Sequence, residues 1–339
     1  MSVITDILFR AAIPVLSLVA AAGCASADGG SAVELLNVSY DPTRELWRDL
    51  NERFTASYRK ETGTTVRIKQ SHAGSSTQAR AVIDGLGADV VTLASYLDTQ
   101  AISDKGLIAP GWIDRLPDRA LPYFSTVVFV VRKGNPKGIA DWPDLAKPGV
   151  EVITPNPKTS GNGYLSLFAA WGSVVLRGGT REDAIAYVTK LYAQVPVLDS
   201  GARGAATTFV QKELGDVHIA WENEAHLEVA QSRGELELVV PPISIRAEPH
   251  VAVVDANVDR KGTRGAAEAY LRFAYTDEAQ ELLAKHYYRP GNAAILKKHA
   301  ATFPDLRLFA ITEIAKDFRD AHKQLVAEGG VFDAIYKPR

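Results

Sequence analysis

Short apolar runs and stretches with a helical period alternate along most of the chain. The run VELLNVSY (33–40) is typical of a buried parallel strand. Apolar residues at four-residue spacing follow it and predict a helix that Asp41 caps, Pro42 opens and Gly63 closes. Because this strand-then-helix order recurs, the pattern predicts an α/β fold.

The same alternation gives the remaining elements. Strands are predicted at 65–70, 88–94, 125–136, 150–157, 216–221, 235–242 and 250–256. Helices are predicted at about 163–176, 181–193, 203–213, 263–275, 277–287 and 308–328. The chain shows no internal repeat.

The N-terminus reads as an export signal. An apolar stretch broken by Pro14 is too short to span a bilayer and runs into Cys24, the single cysteine. We predict a signal peptide at 1–23, lipidation of Cys24 and a flexible tether at 24–32. An ordinary cleaved signal with an incidental cysteine is the alternative. The protein is therefore expected to be extracytoplasmic, in the periplasm or lipid-anchored at the outer face of the cell membrane.

Composition narrows the function without identifying it. The chain has 339 residues, a net charge of −2 and a pI of about 6.4. This length favours two lobes over one core. A nucleic-acid binder would carry a basic surplus, so we expect no nucleic-acid partner. An anionic ligand would have to be held by local geometry.

Candidate binding groups lie where strands lead into helices, the usual ligand position in open α/β sheets. The junctions are 39–42, 71–77, 155–163 and 198–209. Ser160 is a natural N-cap, and small residues beside it would let an anion approach the first N–H groups of a helix. Trp221 adds an indole donor.

These junctions supply hydrogen-bond donors and almost no acceptors. Sulfate is a full dianion at neutral pH and only accepts hydrogen bonds, whereas phosphate keeps a proton that it must donate. A donor-only site therefore favours sulfate.

Signatures of catalysis are missing from the sequence. It contains no Gly-x-Ser-x-Gly, no His-Glu-x-x-His, no P-loop and no cysteine cluster, and its seven histidines are scattered. We expect no enzyme, cofactor or metal. A secreted hydrolase and a structural or adhesive lipoprotein remain as alternatives.

Several long motifs resemble the prokaryotic sulfate-binding protein family, over essentially all of the chain after the leader. They are LLNVSYDPTREL (35–46), ETGTTVRIKQSHAGSS (61–76), RKGNP (132–136), DWPDLAKPGVEVITPNPKTSG (141–161), LDSGARG (198–204), DVHIAWENEA (216–225) and YRPGN (288–292).

The resemblance implies an α/β, two-lobed, hinged periplasmic-binding-protein type II fold, each lobe a central mixed sheet flanked by helices. Lobe 1 would comprise 33–124 and 241–305, and lobe 2 would comprise 125–240. The C-terminal helices, 306–339, would pack back on lobe 2.

The resemblance also implies a buried sulfate bound by specific residues. These are Asp41, which orients donor groups, the backbone of Ser75, Ser160 through its N–H and hydroxyl, Gly161, Asn162, Ala202 and the Trp221 indole, with Arg203 as a secondary candidate. The expected partners are sulfate and ABC-transporter permease subunits with their cytoplasmic ATPase. The protein would be a monomer that touches the membrane only through its lipid. Thiosulfate, molybdate and phosphate are the alternative ligands.

The chain departs from the family motif at a few positions. The family usually has Gly at Asn162, Ala-Arg at Gly163-Tyr164 and Gly at Ala73. Asn162 is tolerable if only its N–H is used, whereas Gly163-Tyr164 could alter the rim of the site.

Overall fold

Two mixed β-sheets organise the part of the chain that the structure describes. The computed structural model describes residues 32–336. The predicted signal peptide, Cys24 and most of the tether lie outside the described residues. Within residues 32–336, no helix is long and apolar enough to cross a membrane.

The first part of the described chain runs from β1 to β5. Its elements are β1 Val33–Tyr40, α1 Arg44–Thr62, β2 Val66–Ala73, α2 Ser75–Ile83, β3 Val90–Thr92, α3 Tyr96–Asp104, a single left-handed turn α4 Pro117–Ala120, β4 Tyr123–Phe124 and β5 Val127–Arg132.

The middle part runs from β6 to β10. Its elements are β6 Val152–Pro155, α5 Gly161–Val175, α6 Arg181–Ala193, β7 Leu198–Asp199, α7 Ala202–Val210, β8 Val217–Trp221, α8 Glu222–Gln231, β9 Leu236–Val239 and β10 Ile243–Ile245.

The last part runs from β11 to α14. Its elements are β11 Val251–Val253, α9 Asp255–Lys261, α10 Arg264–Phe273, α11 Asp277–Lys285, β12 Arg289–Pro290, α12 Ala293–Lys298, β13 Arg307–Phe309, α13 Phe318–Leu325 and α14 Val331–Ile335.

The first sheet has four strands in the order β11-β3-β1-β2. β1 pairs in parallel with β2 along its whole length and with β3 on its other side, while β11 runs antiparallel to β3. The parallel register ends at Tyr40 opposite Ala73. The carboxyl ends of β1 and β2 therefore lie side by side.

The second sheet has five strands in the order β7-β6-β8-β5-β9. β6 is parallel to both β7 and β8, and β5 is antiparallel to β8 and β9. Because β6, β7 and β8 point the same way, Pro155, Asp199 and Trp221 end at one edge of the sheet.

Both faces of each sheet are covered. On β5, Val127 and Phe129 belong to one buried cluster, and Val128 and Val130 belong to another. β1 divides likewise between two clusters on the first sheet. Burial on both faces explains why these strands read as continuous apolar runs rather than as alternating patterns.

The chain passes between the two halves of the structure three times, at 124–127, at 245–251 and between α12 and β13, and the first two of these segments are adjacent. Ser125 and Ala247 form an antiparallel bridge there, with backbone hydrogen bonds of 3.0 and 2.9 Å. We call the elements around the first sheet (β1–β4, α1–α4, β11, β12 and α9–α12) the first-sheet half. The second-sheet half contains β5–β10, β13, α5–α8, α13 and α14.

The expected helix at 308–328 is wrong in its first part. Arg307–Phe309 forms β13, which pairs in parallel with β10, and Ile311–Glu313 forms a 3-10 turn. α13 begins only after Asp317, whose side chain accepts from the N–H of Asp320. The apolar spacing reflects a shared core, because Phe309, Phe318 and Leu325 pack in the same cluster.

The expected cap at the start of the first helix is also wrong. Tyr40 precedes a 3-10 turn, Asp41–Thr43, and no side chain caps it. α1 then begins at Arg44. The Asp41 side chain instead accepts from Arg44 Nη2 at 2.7 Å, which draws its carboxylate away from the capping position.

Candidate anion-binding site

Three helices begin at the edges where the strands of the two sheets end. Ser75 is the first residue of α2, in the first-sheet half, while Gly161 and Ala202 are the first residues of α5 and α7 in the second-sheet half. The N-terminus of a helix carries unpaired N–H donors and about half a positive charge. Together the three N-termini form a site suited to an anion.

One cavity lies between these N-termini. It is lined by Tyr40, Asp41, Pro42, Gly74, Ser75, Ser160, Gly161, Asn162, Ala202 and Trp221. All seven primary candidates from the sequence are in this set, and residues of both halves contribute. The cavity volume is about 180 Å³. It therefore has room for one small polyatomic group.

Backbone donors in this cavity have no partner within the described chain. Across residues 32–336, the N–H groups of Ser75, Gly161, Asn162 and Ala202 make no hydrogen bond. Ser75, Asn162 and Ala202 are at least 95% buried, and Gly161 is buried as well. A buried N–H without a partner is costly, so these groups are suited to a bound acceptor.

Ser160 contributes less than the sequence suggested. Its N–H already donates to the Asn156 carbonyl at 3.0 Å. Its Oγ accepts from the N–H of Gly163 at 3.3 Å, which confirms it as the N-cap of α5. The hydroxyl hydrogen is left to donate into the cavity, so the hydroxyl rather than the N–H is its available group.

Trp221 brings an indole to the cavity from the end of β8. Its side chain is almost fully buried, and its ring packs against Tyr40 with centroids 5.6 Å apart. No acceptor for the indole N–H lies among residues 32–336. Tyr40 belongs to the first-sheet half, so this aromatic contact also joins the two halves.

Cationic side chains do not line the cavity. Its described lining contains no lysine, arginine or histidine, and Asp41 is its single ionisable carboxylate. That carboxylate already pairs with Arg44 at 2.7 Å. An anion here would be stabilised by oriented N–H and O–H dipoles rather than by a counter-charge.

Asp98 holds the first-sheet side of the cavity in place. Ser75 Oγ donates to its Oδ2 at 2.5 Å, and the hydroxyl of Tyr164 reaches the same oxygen from the second-sheet half at 3.1 Å. Burial raises the pKa of Asp98, and the hydrogen bonds it accepts oppose that rise. Because Ser75 Oγ also accepts from the Ala94 N–H, only the backbone N–H of Ser75 is free for a ligand.

Arg203 lies outside the cavity. Its guanidinium pairs with Glu224 at 3.2 Å and Glu45 at 3.4 Å, in a separate depression beside α1, α7 and α8. The structure therefore does not place this secondary candidate with the others.

The sequence analysis missed three residues of the lining, Tyr40, Pro42 and Gly74. Each adjoins a predicted candidate in the chain. All three lie in the predicted junctions 39–42 and 71–77, but Pro42 and Gly74 have no polar side-chain group, and the Tyr40 hydroxyl lies beside that of Tyr123 at 3.5 Å.

A larger depression lies elsewhere on the second-sheet half. It encloses about 1030 Å³ of empty space, much of it open, beside Arg132, Lys133, Glu213 and Glu235. Its lining mixes cations and carboxylates, and no helix N-termini converge on it. Free donors, rather than size, mark the smaller cavity as the candidate site.

Comparisons with known proteins decide the family. A family model described as "Bacterial extracellular solute-binding protein" matches residues 41–289. The "Sulfate-binding protein" of Escherichia coli is 52% identical over 90% of this chain and 93% of its own length. The chain belongs to the sulfate- and thiosulfate-binding family of bacterial extracellular solute-binding proteins. Its members bind solutes outside the cytoplasm and are not enzymes.

Two further relatives support the family assignment. The "Thiosulfate-binding protein" of Pseudomonas aeruginosa is 47% identical over 95% of this chain and 98% of its own length. The solved structure titled "The sulfate-binding protein SubI from Mycobacterium tuberculosis H37Rv" is 32% identical, with a TM-score of 0.79. It covers 87% of this chain and 100% of that one. The periplasmic-binding-protein fold expected from the sequence is confirmed.

The departures from the family motif have clear structural places. The Asn162 side chain donates to the Ile219 carbonyl at 3.3 Å and accepts from Ser166 at 3.1 Å, which occupies its amide and leaves its backbone N–H free. Tyr164 is 2% exposed and bonds to Asp98. Neither side chain adds a charge to the cavity.

Proposed function

We propose that this protein captures sulfate in the cavity between its two halves. The observation that carries the proposal is the set of donors without partners: four backbone N–H groups, the Ser160 hydroxyl and the Trp221 indole. Each hydrogen bond to a charged acceptor contributes about 1.5–3 kcal/mol, so such a set suffices for micromolar or tighter binding after ordering costs.

The donor set favours sulfate over phosphate. Near neutral pH phosphate carries a proton, and that proton needs an acceptor. Asp41 is the only carboxylate in the described lining, and it is already paired with Arg44. A fully deprotonated dianion matches the cavity better.

Thiosulfate is the second candidate. The 47% identical relative from Pseudomonas aeruginosa bears that name. Thiosulfate is also a tetrahedral dianion that only accepts hydrogen bonds. Its terminal sulfur is larger than an oxygen and a weaker acceptor, so a cavity this small disfavours it.

Capture serves transport in this proposal. The two halves act as lobes that close over the anion. Lobe 1 is the first-sheet half and lobe 2 is the second-sheet half, which includes β10 because Ile243 and Ile245 pack in its core. The closed, monomeric protein then docks on the permease of an ABC importer. An export signal at 1–23 directs secretion and is then cleaved, and a lipid on Cys24 holds the mature protein at the membrane, as the N-terminal pattern suggests.

Titration calorimetry on the delipidated protein tests the ligand. We expect heat of binding with sulfate, weaker binding with thiosulfate and molybdate, and none with phosphate at pH 7. The matched variant is Trp221→Phe, which keeps an aromatic ring against Tyr40 and removes one donor, and we expect it to bind sulfate about ten- to a hundredfold more weakly. No binding of wild-type protein at millimolar sulfate would contradict the proposal.

A further inference from the structure

Three glycines at the cavity face the opposite half and leave no room for a side chain. A Cβ atom built on each would lie 2.6, 2.6 or 2.7 Å from an atom of the other half. A Cβ on Gly74 would meet the Thr159 carbonyl oxygen at 2.6 Å, and one on Gly161 would meet Ala94 Cβ at 2.6 Å. A Cβ on Gly201 would meet Asp41 Oδ2 at 2.7 Å. The third contact is the softest, because it meets the end of a side chain.

Backbone conformation does not require glycine at these positions. Gly74 has φ −54° and ψ 137°, and Gly201 has φ −158° and ψ 169°, which any residue adopts. Gly161 starts a regular helix and has no positive φ. The absence of a side chain is therefore explained by space alone, and that space lies across the cavity.

The contacts of Gly74 and Gly161 lie next to the hydrogen-bond donors of the cavity. Gly74 immediately precedes Ser75, and Thr159 immediately precedes Ser160. Gly161 is itself a donor and lies against Ala94, whose N–H bonds to Ser75 Oγ. Approach at these points brings donors of both halves into one small cavity.

We propose that Gly74 and Gly161 are positioning residues that set how closely the two halves approach when the anion is bound. The inference rests on the proposed function. Carbon atoms pack at about 3.5–4.0 Å, so an added methyl group holds the halves apart by several tenths of an ångström or more. The donors of one half are then too far from an anion held by the other. When the halves are apart, both methyl groups lose these close contacts, and the one at 161 keeps an ordinary van der Waals contact with the Tyr164 hydroxyl at 3.5 Å.

The decisive test is a swap across the contact. Gly161→Ala keeps its backbone N–H, yet we expect it to weaken sulfate binding about ten- to a hundredfold, the loss of one or two charged hydrogen bonds. Ala94→Gly removes the atom that the new methyl group meets. The double variant should therefore bind sulfate to within about threefold of Ala94→Gly alone.

Gly74→Ala is the second variant, and Gly265→Ala is its control. Gly265 lies in the first turn of α10, where a Cβ would meet nothing within 4 Å. We expect Gly74→Ala to raise the sulfate dissociation rate and to enlarge the radius of gyration in saturating sulfate. Gly265→Ala should change neither. Without sulfate, the urea midpoint of Gly74→Ala should equal or exceed that of wild type, since the added methyl group also restricts the unfolded chain.

The outcomes separate this inference from the proposed function. If wild-type protein fails to bind sulfate, the proposed function is wrong. If wild type binds and Gly161→Ala and Gly74→Ala bind as tightly, the positioning role is wrong. Additive losses in the swap, or a lowered urea midpoint without sulfate, would show damage to the fold and would also overturn it.

Discussion

Single residues act at this cavity through atoms that have no hydrogen-bond partner among the described residues, 32–336. Backbone N–H groups supply most donors, and such groups are insensitive to the side chain attached to them. Asn162 illustrates the point, because its amide is bonded to Ile219 and Ser166 while its N–H stays free. Side-chain substitutions should therefore matter at few positions of the cavity, chiefly Ser160 and Trp221.

Replacing Ser160 tests the hydroxyl alone. Ser160→Ala removes one donor to a charged ligand and should weaken sulfate binding by about 1.5–3 kcal/mol in calorimetry. Ser173→Ala, at the other end of α5, removes a hydroxyl that bonds only to the Ala170 carbonyl and should leave affinity unchanged. Equal affinities for both variants would place the ligand elsewhere.

Glu224 makes stability depend on pH. Burial raises its pKa from 4.5 to about 8, although the nearby Arg203 lowers it. As pH rises between these values, the unfolded state loses the proton first, so the free energy of unfolding falls. Glu224→Gln has no carboxyl group to titrate there and should not show this fall. Between pH 5 and pH 8, the free energy of unfolding of wild type should therefore drop by about 1–3 kcal/mol more than that of Glu224→Gln.

Urea unfolding at both pH values measures this effect. Glu52→Gln, on the exposed face of α1, is the control and should follow the wild-type profile. A Glu224→Gln protein that loses stability with pH as steeply as wild type would assign the dependence to another group.

At the scale of elements, helix ends decide both stability and binding. The N-termini of α2, α5 and α7 face the cavity and leave their donors to a ligand. The C-terminus of α1 shows the opposite arrangement, because Gly63 closes it in the left-handed conformation with φ 72° and donates to the Arg59 carbonyl. The N-termini of α2, α5 and α7 lower the stability of the fold when no ligand accepts from their N–H groups, whereas the closed C-terminus of α1 raises it.

Gly63→Ala tests the closing turn of α1. A Cβ at positive φ is strained, so we expect a loss of about 1 kcal/mol in the free energy of unfolding, measured by urea. Gly265→Ala, at a position without positive φ, should be neutral or slightly stabilising. Sulfate affinity should not change in either variant, and a loss of affinity in Gly63→Ala would show that α1 is coupled to the site.

For the whole molecule, the site exists only because two separately buried sheets meet. One half contributes Tyr40, Asp41, Pro42, Gly74 and Ser75, and the other contributes Ser160, Gly161, Asn162, Ala202 and Trp221. A ligand that contacts both halves binds one arrangement of them more tightly than any other, and so it shifts the population toward that arrangement.

Sulfate should therefore stabilise the folded protein. At a concentration one hundred times the dissociation constant, it should add about 2.7 kcal/mol to the free energy of unfolding. Thermal or urea unfolding with sodium sulfate, against sodium chloride at matched ionic strength, measures the gain. Trp221→Phe should show a smaller gain at the same sulfate concentration, and an equal gain would indicate a general salt effect.

The local pattern predicted most elements well. β1 has the predicted bounds, 33–40, and α6 has the predicted bounds, 181–193. The failure at 308–328 has a physical cause, because β13 forms only where β10 offers its edge. The two-residue strands β4 and β12 likewise depend on their partners and leave no local signal.

The sequence by itself determined the α/β alternation, the starts of helices such as α6 and the donor-only chemistry, because these follow from local spacing and from the residue types at each junction. The family resemblance added the site residues. Only the tertiary structure decided which N–H groups are free, and it showed that the N–H of Ser160 is not among them. It placed Arg203 outside the cavity, where that side chain pairs with Glu224. It also showed why Gly74 and Gly161 carry no side chain, since the atoms that exclude one belong to the opposite half, distant in the chain.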